Sequence, residues 1–241
     1  MLKDTIKICK TGAKMVAHRG VSGLETENTI AAFLAAGQRS YFGVETDTQR
    51  TKDGFFITFH DGELNRMMGV EKKIRDITLE ELRGYTMTDI SDGKKRSDLV
   101  VPTLDEYIRI CKHYNKTCIL ELKGVFSVKD IEDMLEVINT EEYLDGIIFI
   151  SGEWESLINL RKVLKTHPAQ YICGKITDEL IESLVKNGLD IDPYFEALTE
   201  ENVKQLHNAG ITINCWTVND PAIAEKLDGW GVEMITSNFL E

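Results

Sequence analysis

No two of the five cysteines are spaced Cys-x-x-Cys, and their number is odd. Cys9, Cys111, Cys118, Cys173 and Cys215 therefore predict neither a disulfide framework nor a zinc site, and reduced structural thiols fit best. Long apolar runs are missing too. Stretches such as "GIIFI" (146–150) are far too short to span a bilayer. The opening stretch "MLKDTIKICKTGAKMVAHRG" has no apolar core of a secretory signal. A cytoplasmic protein without stable membrane insertion is the expectation. Positive charge is in short supply: 28 Lys and Arg face 40 Asp and Glu, a net charge of −12. That argues against nucleic acid and anionic membrane as partners. An anionic small-molecule substrate would need local cations to offset the field. There is no Pro/Gly/Ser-rich linker, low-complexity tract or obvious repeat in the 241 residues, so one domain spanning 1–241 is expected. Nothing in the sequence signals an oligomeric state.

What is present is an alternation of short β-branched runs with amphipathic stretches. Strands are predicted at 14–18, 43–47, 117–123, 146–151, 169–174, 189–192, 212–218 and 232–236. Helices are predicted at 28–38, 103–114, 128–139, 153–165, 178–187, 199–209 and 220–228, with Asn28 capping the first and "HNAG" ending another at Gly210. Repeated strand-then-helix order predicts a parallel sheet with helices outside, and eight strands fit a closed (β/α)8 barrel. "FFITFH" (55–60) follows "ETDTQRT" after only a tight "KDG" break. A parallel crossover needs a dozen residues, so this pair must be an antiparallel hairpin standing on the barrel rim. It brings His60 back towards Glu45. Residues 62–100 have little periodicity and much charge, and predict a small inserted lobe over the same rim.

Catalytic groups of such barrels sit at the C-terminal strand ends. Those ends carry His18 and Arg19, Glu45 and Asp47, Glu121 and Lys123, with His60 on the hairpin. Glu45 and Asp47 share one strand face by alternation, as do Glu121 and Lys123. Three carboxylates without sulfur or imidazole spacing predict a hard divalent cation, Mg²⁺ or Ca²⁺. Arg19 and Lys123 suit phosphate oxygens. His18 and His60 suit one general base and one general acid, which is what cleavage of a phosphodiester needs. Taken singly, "ETD", "HRG" and "ELK" are ordinary strand ends. Their joint placement is what carries the reading.

The segments "VAHRG" (16–20), "ENTIAAF" (27–33), "VETDTQRTKDGFFITFHD" (44–61), "LELK" (120–123) and "CWTVN" (215–219) together resemble the glycerophosphodiester phosphodiesterase family. The resemblance runs in order from residue 16 to near residue 236. It implies a TIM barrel and hydrolysis of glycerophosphodiesters to sn-glycerol 3-phosphate and an alcohol. It also implies that His18 and His60 are the catalytic pair, that Arg19 and Lys123 lie at the phosphate, and that Glu45, Asp47 and Glu121 hold the metal. Trp216 matches an aromatic residue lining the substrate cleft. Two positions depart from the family pattern. Thr26 stands where proline is common, and Ser237 where aspartate is common.

Other residues stay open on the sequence alone. Glu27 either orients Arg19 or the metal shell, or helps cap the helix with Asn28. Asp61 either orients His60 or closes the hairpin through an Asx-type turn, with the turn favoured. Glu153 and Lys175 lie near the rim. His113, His167 and His207 lie in or next to helices and are read as structural. Two alternatives accompany the main reading: a lysophospholipase D-like enzyme, using an apolar channel near "LNRMMGV" (64–70), and an inactive barrel that binds phosphorylated ligands.

Overall fold

The computed structural model of the protein describes residues 3–9 and 12–241. Eight parallel strands form the barrel: β1 (Lys14–Ala17), β2 (Gly43–Arg50), β4 (Thr117–Leu122), β5 (Ile147–Ser151), β6 (Ala169–Cys173), β7 (Asp190–Pro193), β8 (Asn214–Cys215) and β9 (Met234–Ser237). Their spatial order is β7-β6-β5-β4-β2-β1-β9-β8. The ring is nearly closed between β7 and β8 by the single parallel bridges Ile191–Ile213 and Tyr194–Trp216. Seven of the helices lie along the chain between and around these strands: α1 (Ile30–Gly37), α4 (Leu104–His113), α5 (Val128–Thr140), α6 (Trp154–Val163), α7 (Asp178–Asn187), α8 (Glu200–Asn208) and α9 (Pro221–Trp230).

Alternation along the strands decides what faces the barrel axis. Val44, Leu120, Phe149, Ile191 and Ile235 point outward into the main core under the helices. Val16, Ile119, Ile150 and Met234 form a separate apolar cluster, the floor of the interior. Continuing the same faces towards the C-terminal ends places Glu45, Asp47, Glu121 and Lys123 above that floor.

The predicted hairpin is present. β3 (Phe56–Thr58) pairs antiparallel with β2 in the register Thr48–Thr58, Gln49–Ile57 and Arg50–Phe56. The Phe59 N–H continues the ladder to the Asp47 carbonyl at 2.9 Å. Gly54 turns the chain at a φ of 92°, a conformation only glycine adopts freely. Asp53 stabilises the turn by accepting from the Thr51 hydroxyl at 2.6 Å. β2 is thus a barrel strand for its first half and a hairpin arm for its second.

Residues 62–100 carry two short helices, α2 (Asn65–Met68) and α3 (Leu79–Arg83). Their scattered apolar residues gather with Ile57 and Phe59 into a second core, which includes Leu64, Met68, Ile74, Ile77, Leu82 and Leu99. Short elements joined by turns leave no long period to read. Thr26 pins this lobe to the chain before α1. Its hydroxyl donates to the Thr88 carbonyl at 3.2 Å and accepts from the Ile90 N–H at 3.1 Å.

Several element boundaries move. The first helix starts at Ile30, not 28. Its cap is Thr29, whose hydroxyl accepts the Ala32 N–H at 3.2 Å. Asn28 is released from capping because its amide is engaged elsewhere. The strand predicted at 212–218 shrinks to Asn214–Cys215, flanked by Ile213 and Trp216, which make only single bridges towards β7. Gly210 does follow a helix end, with φ of 74°. α9 begins at Pro221 behind Asp220, whose carboxylate accepts the Ala222 N–H at 2.8 Å. Among the described residues, no helix is long and apolar enough to cross a membrane.

Candidate active site

The loop after β1 is shaped by two residues in the left-handed region, Arg19 (φ 52°) and Gly20 (φ 77°). A Cβ on Gly20 would lie 2.6 Å from Ala32, so only glycine lets the loop cross α1 this closely. The turn aims the Arg19 backbone N–H at Glu45 Oε2, 2.8 Å away. Backbone strain of this kind tends to gather at functional sites.

Asp47 of β2 lies directly across from Glu121 of β4 in the ladder, with Glu45 one inward position earlier. Oxygens of the three carboxylates all lie within 4.8 Å of one another. Asp47 is fully buried and Glu45 nearly so. Two cations press on the cluster. Arg19 Nε is 3.3 Å from Asp47 Oδ2, while Lys123 Nζ is 3.3 Å from Asp47 Oδ1 and 3.0 Å from Glu121 Oε1. Asn28, freed from its capping role, donates to Asp47 Oδ2 at 2.8 Å and is itself held by the Thr46 hydroxyl at 2.7 Å.

The electrostatics follow from crowding. Burial, then the neighbouring charges of Asp47 and Glu121, hold Glu45 well above the usual carboxylate range. Burial and Asp47 push Glu121 up to about 7. Burial acts against the Asp47 charge as well, but Arg19, Lys123 and His60 overcome it and bring the group down to about 2. Asp47 Oδ1 still lacks a hydrogen bond despite its complete burial. Three acids that cannot all ionise comfortably, offering only oxygen, form a donor set that fits a hard divalent cation.

Each histidine has one ring nitrogen occupied. His18 Nδ1 lies 2.7 Å from Asn238 Oδ1, which also accepts from the Ser22 hydroxyl at 2.9 Å. An amide oxygen can only accept, so Nδ1 carries the proton. Burial first, then Arg19, push His18 down to about 4. The ring is therefore neutral near pH 7, with Nε2 left as a free base. His60 Nδ1 lies 2.7 Å from Asp61 Oδ1. Asp61 thus orients His60, and the expected Asx-type turn is corrected. The carboxylate is in turn gripped by Arg66, at 2.6 Å to Nε and 3.1 Å to Nη2. Arg66 also holds Glu27 at 2.7 Å, and Glu27 accepts from Arg19 Nη1 at 2.8 Å. The open question on Glu27 resolves in favour of Arg19.

His18, Arg19, Glu45, His60, Glu121 and Lys123 line one cavity of about 130 Å³, and Trp216 forms part of its wall. Asp47 lies among their side chains without lining the opening. Trp216 is fixed by its Nε1–H, which donates to the Asp192 carbonyl at 3.0 Å. All eight site residues expected from the sequence are thus brought together. Glu153 and Lys175 do not line this cavity. His167 bonds the Ile147 carbonyl at 2.8 Å, His207 pairs with Glu233 at 3.2 Å, and His113 packs edge-on against Tyr114.

Four participants escape sequence reading. Asn28 looks like a helix cap. Arg66 sits in the stretch "LNRMM", where nothing marks it as a partner of distant acids. Asp192 lies in "LDIDP", where alternation alone hints that it faces inward. Asn238 stands one residue beyond the Ser237 departure, and Ser237 itself donates to Asn219 Oδ1 at 3.2 Å.

A family model described as the glycerophosphoryl diester phosphodiesterase family matches residues 18–241. This chain belongs to that family. A glycerophosphodiester phosphodiesterase of Bacillus subtilis is 28% identical over 93% of this chain and 83% of its own length. One from Caldanaerobacter subterraneus is also 28% identical, covering 93% of both chains. Among solved structures, an Oleispira antarctica phosphodiesterase in complex with the product sn-glycerol-3-phosphate superposes with a TM-score of 0.87. It is 26% identical and covers 95% of this chain and 94% of its own. Membership in the glycerophosphoryl diester phosphodiesterase family fixes the enzyme class as a phosphoric diester hydrolase acting on glycerophosphodiesters. It also agrees with the nearly closed barrel of eight parallel strands.

Proposed function

We propose that this chain, acting as one catalytic unit with its lobe, hydrolyses glycerophosphodiesters to sn-glycerol 3-phosphate and an alcohol, with the aid of one divalent cation. The observation that carries the reading is the convergence of three carboxylates, two oriented imidazoles and two cations on a single small cavity. Glu45, Asp47 and Glu121 would hold the cation, Mg²⁺ or Ca²⁺, which when bound offsets negative charge on the phosphoryl oxygens. Arg19 and Lys123 take the remaining phosphoryl charge. His18 is neutral with Nε2 free, so it accepts the proton of the attacking hydroxyl. His60 presents its own Nε2 and gives a proton to the departing alcohol oxygen as the P–O bond breaks. The attacking group is the 2-hydroxyl of the glycerol moiety. Attack forms a cyclic glycerol phosphate, which water then opens with the histidine roles reversed. A diester lacking that 2-hydroxyl is expected to react at least 100-fold more slowly, on the order of what an intramolecular nucleophile contributes. Steady-state rates on the two diesters check this, and equal rates would make water the first nucleophile.

The acids make cation binding pH-dependent. Glu121, held up to about 7, carries a proton in the metal-free protein below that pH. A cation must displace it, together with any proton held on Glu45, so apparent affinity should fall by at least about tenfold for each pH unit below about 7. Calorimetric titration with Mg²⁺ and Ca²⁺ from pH 5.5 to 8.5 checks this, and a flat profile would remove Glu121 from the ligand set.

Among the described residues, the apolar channel that the lysolipid alternative needs near residues 64–70 is not supplied by Leu64 or Met68. Leu64 and Met68 are fully buried in the lobe's own core. The groove of about 540 Å³ that meets the site at Lys123 is lined largely by polar groups, among them Gln49, Glu63, Lys73 and Arg75. A barrel that only bound phosphate would have no need for two imidazoles whose tautomers are each set by a partner.

A further inference from the structure

Asp192 is the one acid in the cavity that nothing above employs. It stands at the C-terminal end of β7, with its side chain lining the same cavity as the histidines. The residue is 2% exposed, and its Oδ1 is buried without a hydrogen-bond partner. Among the described residues, no ion pair reaches it. Asp190, two residues earlier, has its carboxylate satisfied by the Thr212 N–H at 2.8 Å. A buried carboxyl left unpaired is costly and uncommon, and its presence in a cavity points to a partner that arrives with the ligand. It does not belong to the cluster of three acids whose oxygens lie within 4.8 Å of one another.

The chemistry of the lining says what that partner is. Arg19 and Lys123 attract the phosphoryl oxygens, whereas the Asp192 carboxyl, held well above the usual carboxylate range by burial and then by Glu121, offers them no positive charge. Ile150, Ile172 and the Trp216 ring offer apolar walls around Asp192. What suits this corner is a short carbon chain bearing a hydroxyl that can donate. A cavity of about 130 Å³ admits a fragment of only a few atoms there. We infer that Asp192 recognises the glycerol moiety of the substrate, its carboxyl accepting a hydrogen bond from the terminal hydroxyl. The inference rests on the proposed reaction, which assigns the neighbouring 2-hydroxyl to attack. Asp192 would thereby orient the diester, with glycerol inward and phosphate against the cations. Selection for a glycerol ester over a simple alkyl ester would originate at this residue.

The test compares glycerophosphocholine with its analogue lacking only the terminal glycerol hydroxyl. The wild-type enzyme should favour the parent by about 10- to 100-fold in kcat/KM, the range for leaving one buried polar group unpaired. Asp192→Ala should lose that preference, mainly through a higher KM for the parent, with the analogue little affected. Asp192→Asn keeps an accepting oxygen and should retain most of the preference. Inhibition by inorganic phosphate should stay unchanged in both variants. Equal losses on both substrates, or no loss, would overturn the assignment. If the alanine variant does not fold, the wild-type comparison decides alone: no discrimination against the analogue refutes the inference. A wild-type enzyme that turns over neither diester would refute the proposed reaction instead, and the inference with it.

Discussion

His18→Ala and His60→Ala are each expected to lower kcat by about 10²- to 10⁴-fold, the usual worth of a positioned acid or base. The two losses should differ in kind. His18 is buried beside Arg19 and stays neutral down to about pH 4, with Asn238 holding the proton on Nδ1. Such a ring can only accept at Nε2, which makes it the base. His60 is held through Nδ1 by Asp61, itself clamped by Arg66. A substrate with an activated leaving group, such as a nitrophenyl ester, hardly needs a proton donor. It should restore much of the rate to the His60 variant and little to the His18 variant. Rates for both variants on activated and unactivated diesters check the assignment. Near-normal turnover in either variant would remove that residue from the chemistry, and rescue of the His18 variant alone would exchange the roles.

Asp47→Ala should abolish activity and destabilise the protein by about 3–5 kcal/mol, the cost of breaking a buried ion pair from one side. It leaves Arg19, Lys123 and the Asn28 amide without their shared partner. Glu121→Gln should also abolish activity, yet act in the opposite direction on the metal-free protein. Glu121 has a folded pKa of about 7 against an ordinary 4.5. Its charge therefore costs nothing below pH 4.5, costs increasingly as pH rises from 4.5 to 7, and costs fully above 7. At about 1.4 kcal/mol per pH unit, the glutamine variant gains at most about 3.5 kcal/mol above pH 7, a figure that already contains the Lys123 attraction. Denaturant unfolding at pH 5 and pH 8, in chelator, checks both signs. Similar destabilisation by the two variants would contradict the charge arrangement described above.

The barrel and most of the site are legible in the sequence because both rest on short-range rules. Period-two alternation puts Glu45 and Asp47 on one face, and the tight turn before Phe55 leaves no topology but a hairpin for His60. The lobe resists such reading, since its core joins apolar residues scattered from Ile57 to Val101 across several turns. Long-range partners resist it as well. Asn238 reaches His18 across 220 residues of chain, and Arg66 joins Glu27 to Asp61 from a helix of only four residues. Asn28 is misread because one residue type serves equally as a cap and as a hydrogen-bonding bridge. Thr29 performs the capping, which frees Asn28 for the carboxylates.

In the proposed reaction these residues cleave the bond between phosphorus and the non-glycerol alcohol, and a cation held by Glu45, Asp47 and Glu121 is required. Phosphorus NMR of glycerophosphocholine incubated with chelator-treated enzyme, before and after addition of Mg²⁺ or Ca²⁺, tests both parts together. No reaction is expected in chelator and, after the cation is restored, a single growing signal of sn-glycerol 3-phosphate. Undiminished turnover in chelator, or phosphocholine as the product, would contradict it.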